Sequence, residues 1–208
     1  MDEGPQTSTE ARGAQYLLEN PEVLRTQARA IARASVYGCV HVVYPMISDP
    51  GQFLALKEKF LGNISLLKSG ALRHGVMFEF PAACRQADGL IASADFASIG
   101  TNDLIEQLFN FNRNSEQAYQ ASSHPALWEM IGMVLSAAKE RGKTVLVCGE
   151  LARRSEFFNR LIKLGAGGIS VPPHMIPEIR QEISAMPEGH RVRKTLRQKP
   201  EPKAVEHE

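Results

Sequence analysis

GVMFEFPAA at 75–83, FASIGTND at 96–103 and TVLVCGELA at 144–152 share one plan. Each opens with a short apolar run of strand type, passes through small or polar residues, and enters helical sequence. Recurrence of that unit builds parallel strands joined by helical crossovers, an α/β fold. Such folds gather their chemistry at the rim formed by the carboxyl ends of the strands. The pattern therefore predicts that Glu79, Asp103 and Cys148 meet at one rim. Two carboxylates and a thiol there suit a hard divalent cation and a proton donor.

Working outward, CVHVVYPM at 39–46 reads as an earlier strand and AGGISV at 166–171 as a later one, which makes five. Helices are expected between and after them. Asn20 is a plausible N-cap with Pro21 at the first helical position, opening a helix over 21–38 that Gly38 ends. Asp49 and Pro50 open the next. Further helices are expected over 81–92, 102–111, 123–142, 155–165 and 173–184. A closed eight-stranded barrel takes about 250 residues, so 208 residues fall short by roughly three strands. The expectation is a partial TIM-type (β/α) barrel of about five parallel strands with following helices. Its domain covers 11–186, between a disordered N-terminus at 1–10 and a disordered charged tail at 187–208. Either the sheet stays open or another chain supplies the missing wall.

Composition narrows the class further. The formal charge of +1 gives no global pull towards nucleic acid. The basic tail, HRVRKTLRQKPEPK, has neither an aromatic for base stacking nor an amphipathic pattern, so neither nucleic acid nor a membrane is expected as partner. Cys39, Cys84 and Cys148 show no CxxC or metal spacing, which fits a reducing compartment. The polar N-terminus is no signal peptide, and no apolar stretch approaches the roughly 20 residues of a membrane span, so a cytoplasmic location is expected. Read singly, each candidate residue has a plainer role. Strand-end carboxylates are often just solvated, a lone Cys after an apolar strand is usually core, and Asn102 could cap the helix that follows it. Trp128, Met130 and Met133 share helical spacing and read as core or interface, and Cys39 and Cys84 as structural.

Taken together the motifs resemble the C-terminal, PEP-binding barrel domain of the PEP-utilising enzymes: Enzyme I of the bacterial sugar phosphotransferase system, pyruvate phosphate dikinase and PEP synthase. The resemblance runs through Pro45-Met46-Ile47, Glu79-Phe80-Pro81-Ala82-Ala83, Ser98 to Leu104, His124-Pro125, Cys148 to Ala152, and Pro173 to Ile179, in the family's order. It covers about Arg12 to Glu182, truncated at the N-terminal side of the family's barrel. The pairing of SIGTND with CGELA is its most specific element.

The resemblance implies a transferase chemistry and assigns residues to it. Glu79 and Asp103 match the Mg2+ ligands, and Asn102 a substrate-binding amide. Arg113 matches an arginine that contacts phosphoenolpyruvate, although Asn112 stands where the family usually has an acidic residue or serine. Arg12 matches an upstream phosphate-binding arginine, without the tryptophan usual before it. Cys148 matches the general acid that gives or takes the proton at the methylene carbon of enolpyruvate. Further phosphate-binding arginines of the family's first strands have no counterpart, nor does its phosphorylatable histidine. A complete reaction would then need a phosphohistidine-bearing domain or protein in trans. A homodimer, or a complex with the missing half-barrel, is the expected assembly. Two other readings stay open: a non-catalytic module that binds phosphoenolpyruvate or pyruvate to regulate a relative, and a lyase of related fold. CGELA favours phosphotransfer over the lyase.

Overall fold

The apolar runs do form strands: β1 (Val40–Tyr44), β2 (Leu72–Phe78), β3 (Phe96–Gly100), β4 (Val145–Cys148) and β5 (Gly168–Ser170). They pair in sequential order into one sheet, and every pairing is parallel. This computed structural model describes residues 13–111 and 115–186. The segments 1–10 and 187–208, expected to be disordered, lie outside the described residues, as do Arg12 and Arg113.

Helices α1 (Gly13–Glu19), α2 (Pro21–Ser35) and α3 (Pro50–Ile64) flank β1, and α4 (Pro81–Arg85) and α5 (Ala87–Ser93) follow β2. After β3 come α6 (Thr101–Phe109), α7 (Glu116–Ala121) and α8 (Pro125–Glu140); α9 (Phe158–Leu164) follows β4 and α10 (Ile176–Ala185) follows β5. Local chemistry explains several boundaries. Asp49 caps α3 by accepting from the Gln52 N–H at 2.9 Å, with Pro50 in the first turn. His124 caps α8 through Nδ1, which accepts from Ala126 N–H at 3.2 Å, and Pro125 starts the helix. Gly165 closes α9 in the left-handed conformation that glycine tolerates.

Several elements depart from the sequence reading. The helix after Asn20 stops at Ser35 rather than running to Gly38, and Asn20 makes no side-chain capping bond. The helix expected over 81–92 breaks at Gln86, whose φ of −104° leaves the helical region. β2 begins at Leu72, ahead of the expected Gly75. Cys84 is buried as expected of a structural thiol, but Cys39 is exposed. Trp128 and Met130 join the core, while Met133 is 37% exposed.

The two faces of the sheet differ. Val42, Tyr44, Val76, Phe78, Ala97, Ile99, Val145 and Val147 are buried beneath the helices in one continuous core with Phe53, Leu56, Leu90, Ile131 and Leu161. The opposite face carries Val43, Met77, Ser98, Leu146 and Cys148, aligned by the strand register. Of these only Ser98 is fully buried. Parallel sheets are normally covered on both sides; among the described residues the second face is half open, because the five described strands do not close a barrel. A buried polar pair, Tyr44 Oη with His74 Nδ1 at 3.0 Å, sits in the covered layer against Phe60. Burial pushes the Tyr44 phenol above its ordinary range. It also holds the imidazole below its usual value, with Lys57 adding to the effect and Asp95 opposing it.

Candidate active site

Glu79 follows β2, Gly100 ends β3, Asp103 lies in the first turn of α6, and Cys148 ends β4. Phe78 is paired with Ile99, and Gly100 with Cys148. Parallel strands in that register bring all three candidate side chains to one rim, as the strand-end pattern anticipated. Glu79 and Asp103 are 6% and 8% exposed, an uncommon degree of burial for carboxylates.

Glu79 is supported from β1. Met46 N–H donates to Glu79 Oε2 at 2.6 Å, and Met46 holds a φ of +54°, which is unusual for a residue with a side chain. That conformation aims a backbone N–H at the carboxylate, in line with the tendency of strained positions to gather at functional sites. Gly100 supplies room on the other side. A Cβ there would stand 2.8 Å from Glu79 Cγ and 3.1 Å from its Oε1.

The start of α6 is tied to the end of β4 by two hydrogen bonds. Thr101 Oγ1 donates to Cys148 O at 2.7 Å, and Glu150 N–H donates to Asn102 Oδ1 at 2.7 Å. Asn102 is therefore no helix cap, since Gly100 occupies the cap position and the amide oxygen serves the turn after β4. With that oxygen committed, the amide NH2 is the group left to donate to an anion. Gly149 makes the approach possible: its φ is +98°, and an added Cβ would collide with Thr101 Oγ1 and stand 2.7 Å from Asn102 Oδ1.

Cys148 is half-buried. Its thiol donates to Ile99 O at 3.3 Å and lies 3.7 Å from Ser98 Oγ. Burial pushes the thiol above its ordinary range, the Ser98 hydroxyl opposes that shift, and the charges of Glu79 and Asp103 add to it. The group is thus held as a protonated thiol at neutral pH.

Of the expected site residues, the structure brings together Glu79, Asp103, Asn102 and Cys148, while Arg12 and Arg113 fall outside the described residues. Four contributors had no signal of their own in the sequence: the Met46 N–H, the space at Gly100, and the Ser98 and Thr101 hydroxyls. As for a metal, the described residues contain no cluster of three or more His, Cys, Asp or Glu side chains. Two hard carboxylates nevertheless match the usual protein share of a Mg2+ site, in which substrate oxygens and water complete the octahedron.

A sequential parallel sheet with helical crossovers and polar groups on its C-terminal rim defines a partial TIM-type (β/α) barrel. Solved structures agree on the fold. A citrate lyase from Burkholderia xenovorans LB400 superposes with a TM-score of 0.61 over 76% of this chain and 53% of its own, at 16% identity. A pyruvate kinase from Cryptosporidium parvum does so with a TM-score of 0.54 over 70% of this chain and 30% of its own, at 9% identity. At sequence level the family described as "PEP-utilising enzyme, PEP-binding domain" matches residues 10–187, and the chain belongs to that family. Among its relatives are a multiphosphoryl transfer protein of Xanthomonas campestris, 37% identical over 83% of this chain and 21% of the relative, and a phosphoenolpyruvate-protein phosphotransferase of Listeria monocytogenes, 32% identical over 88% of this chain and 33% of the relative. A phosphoenolpyruvate-protein phosphotransferase of Bacillus sp. (strain S) is 35% identical over 89% of this chain and 34% of its own length. The chain thus spans about a fifth to a third of the curated relatives it matches. No helix among the described residues is long and apolar enough to cross a membrane.

Proposed function

We propose that this chain is the Mg2+-dependent phosphoenolpyruvate- and pyruvate-binding domain of a phosphotransferase that moves a phosphoryl group between phosphoenolpyruvate and a histidine on a partner. The observation that carries the reading is the convergence of Glu79, Asp103 and Cys148 on one rim, with both carboxylates buried. Glu79 and Asp103 would hold the ion, which when bound neutralises anionic charge on the phosphate and the enol oxygen. Asn102 donates its amide hydrogens to the anionic ligand, and Arg12 and Arg113 bind its phosphate or carboxylate. Cys148 gives its proton to the methylene carbon of enolpyruvate and is left as a thiolate; in the reverse direction that thiolate takes the proton back from the methyl of pyruvate. Half-burial of the thiol beneath the rim keeps that proton from bulk water.

The phosphoryl carrier is a phosphohistidine-bearing domain or protein, and the assembly a homodimer or a complex with the missing half-barrel, in a cytoplasmic setting. Calorimetric titration of oxalate, an enolate mimic, tests the site. Binding that requires Mg2+ and disappears in Glu79→Gln and Asp103→Asn, with the fold intact, is the expected result. Mg2+-independent binding, or binding unchanged in those variants, refutes the assignment. A second reading has one observation in its favour: the described strands leave β1 and β5 as open edges. On that reading the chain is a non-catalytic module that binds phosphoenolpyruvate or pyruvate. It predicts oxalate binding without proton exchange at the pyruvate methyl when a histidine partner is present.

A further inference from the structure

The turn that follows Cys148 ends in a residue whose surroundings are more elaborate than a surface loop needs. Arg154 follows the 3-10 turn over Glu150–Arg153, and its side chain is only 16% exposed. The guanidinium carbon lies 3.9 Å from the centroid of the Tyr119 ring and 4.6 Å from that of Phe157. Nη1 donates to Tyr119 O at 3.0 Å, and Nη2 pairs with Glu156. Nε is buried and has no hydrogen-bond partner among the described residues. A planar cation lying over two rings, with both terminal nitrogens bonded, is held in one orientation.

The same cluster grips α7 from a second side. Phe157 packs against Trp128 at 5.3 Å between ring centroids, and Trp128 Nε1 donates to Ser122 O at 2.9 Å. The carbonyls of Tyr119 and Ser122, at the end of this short helix, are therefore both taken by long side chains from neighbouring elements. Between α6, α7 and the turn lies a cavity of about 280 Å3 lined by Asn102, Ile105, Ser115, Tyr119, Ser122 and Glu150. The bond from Glu150 N–H to Asn102 spans one side of it, and the bond from Arg154 to Tyr119 ties the end of the same turn to α7. The turn is therefore held at its start and at its end.

We propose that Arg154 is a positioning residue for the candidate active site: by clamping the turn after β4 to α7, it keeps the Glu150 N–H on Asn102 Oδ1 and so fixes the Asn102 amide against the turn that follows Cys148. The inference rests on the site proposed above, because it gives Asn102 a ligand to meet. Loss of the clamp lets the turn swing on Gly149, frees the amide to rotate, and removes its fixed orientation towards the anion.

The test uses the full chain with Arg154→Ala and Arg154→Lys, read by hydrogen exchange of the Glu150 amide and by oxalate titration with Mg2+. Arg154→Ala is expected to speed Glu150 exchange while leaving amides of β2 and β3 unchanged. It should weaken oxalate by about tenfold, the scale of one positioned hydrogen bond. Arg154→Lys, which keeps a cation on the rings without the fork, should fall between Ala and the parent in both readouts, and it carries the test should the Ala variant fail to fold. Glu150 exchange and oxalate affinity unchanged in both variants would overturn the proposal and leave Arg154 as a tie between surface segments. A parent chain that binds no oxalate refutes the site itself, whereas the Glu150 exchange rate decides the clamp independently.

Discussion

Gly100→Ala is the most economical probe of how the rim is built. The backbone there has a φ of −88°, which any residue adopts, so the substitution acts through space and not through conformation. The new methyl would stand 2.8 Å from Glu79 Cγ and 3.1 Å from Oε1. An approach of 2.8 Å between carbons is about 0.7 Å inside the favourable separation, so the Glu79 side chain must move. Overpacking of this kind costs about 1–3 kcal/mol. For a chain of this size, that lowers Tm by about 2–12 °C. Movement of Glu79 also strains or breaks its 2.6 Å bond from Met46 N–H, a charge-assisted contact worth about 1.5–3 kcal/mol. If the carboxylate must hold that position to serve the ion, Mg2+-dependent oxalate affinity falls roughly 10- to 150-fold. Thermal melts and calorimetry on the same samples separate the two effects. A Tm within 1 °C of the parent would show that the rim has slack and that the steric argument is wrong. A lowered Tm with unchanged oxalate affinity would show that the position of Glu79 does not matter for binding.

Other predictions follow from neighbouring residues. Gly149→Ala combines a φ of +98° with a Cβ placed 2.7 Å from Asn102 Oδ1; strain of about 1–3 kcal/mol plus overpacking should lower Tm more than Gly100→Ala does. A smaller Tm loss than in Gly100→Ala would refute this ordering. The Cys84 thiol is pushed by burial to about 12 from an ordinary 9.0, against the opposing pull of Arg85. The unfolded chain therefore releases that proton first, and stability is full below pH 9 and declines above it, by about 1.4 kcal/mol per pH unit for this group. Urea melts between pH 8.5 and 10.5 should show a shallower decline in Cys84→Ala than in the parent, and an identical slope would contradict the assignment. His74 has its pKa lowered, mainly by burial. The unfolded state then takes up the proton first as pH falls below about 6.5, so stability drops with acidification. His74→Gln should reduce that acid dependence at a cost in neutral stability, and an unaltered pH profile would count against it.

What the sequence made legible was whatever rests on period, caps and strand ends. Asp49-Pro50 marked a true helix start because capping is a property of adjacent residues. The meeting of Glu79, Asp103 and Cys148 could be anticipated because parallel strands deliver their C-terminal ends to one rim whatever fills the rest of the sheet. Elements stabilised by contacts distant in sequence were not legible. α1 and α7 are short, and α7, EQAYQA, has no apolar period; its last carbonyls are held by Arg154 and Trp128, which no local pattern reports. The start of β2 was hidden because Arg73 and His74 read as polar, while in the fold His74 is buried against Tyr44. Asn102 could be read as a cap because NDLIEQLF favours that locally, yet register with β4 gives its oxygen to Glu150. Met46 shows the same limit: its motif could be quoted, but its left-handed backbone and its bond to Glu79 follow from packing alone.

The strand order has a consequence for how the domain comes into being. Because each strand pairs with the one just before it in the chain, no pairing waits on a segment made much later. Parallel sheets are ordinarily slow to form because loop closure precedes any reward, but here each closure spans a single crossover. The sheet can grow in the direction of synthesis, one strand and crossover at a time, and each new strand finds its template already in place. Interruption during synthesis should then leave a shorter sheet of native register rather than a collapsed mixture. Chains ending after Cys148 should show β1 to β4 protected from hydrogen exchange in the same pairings.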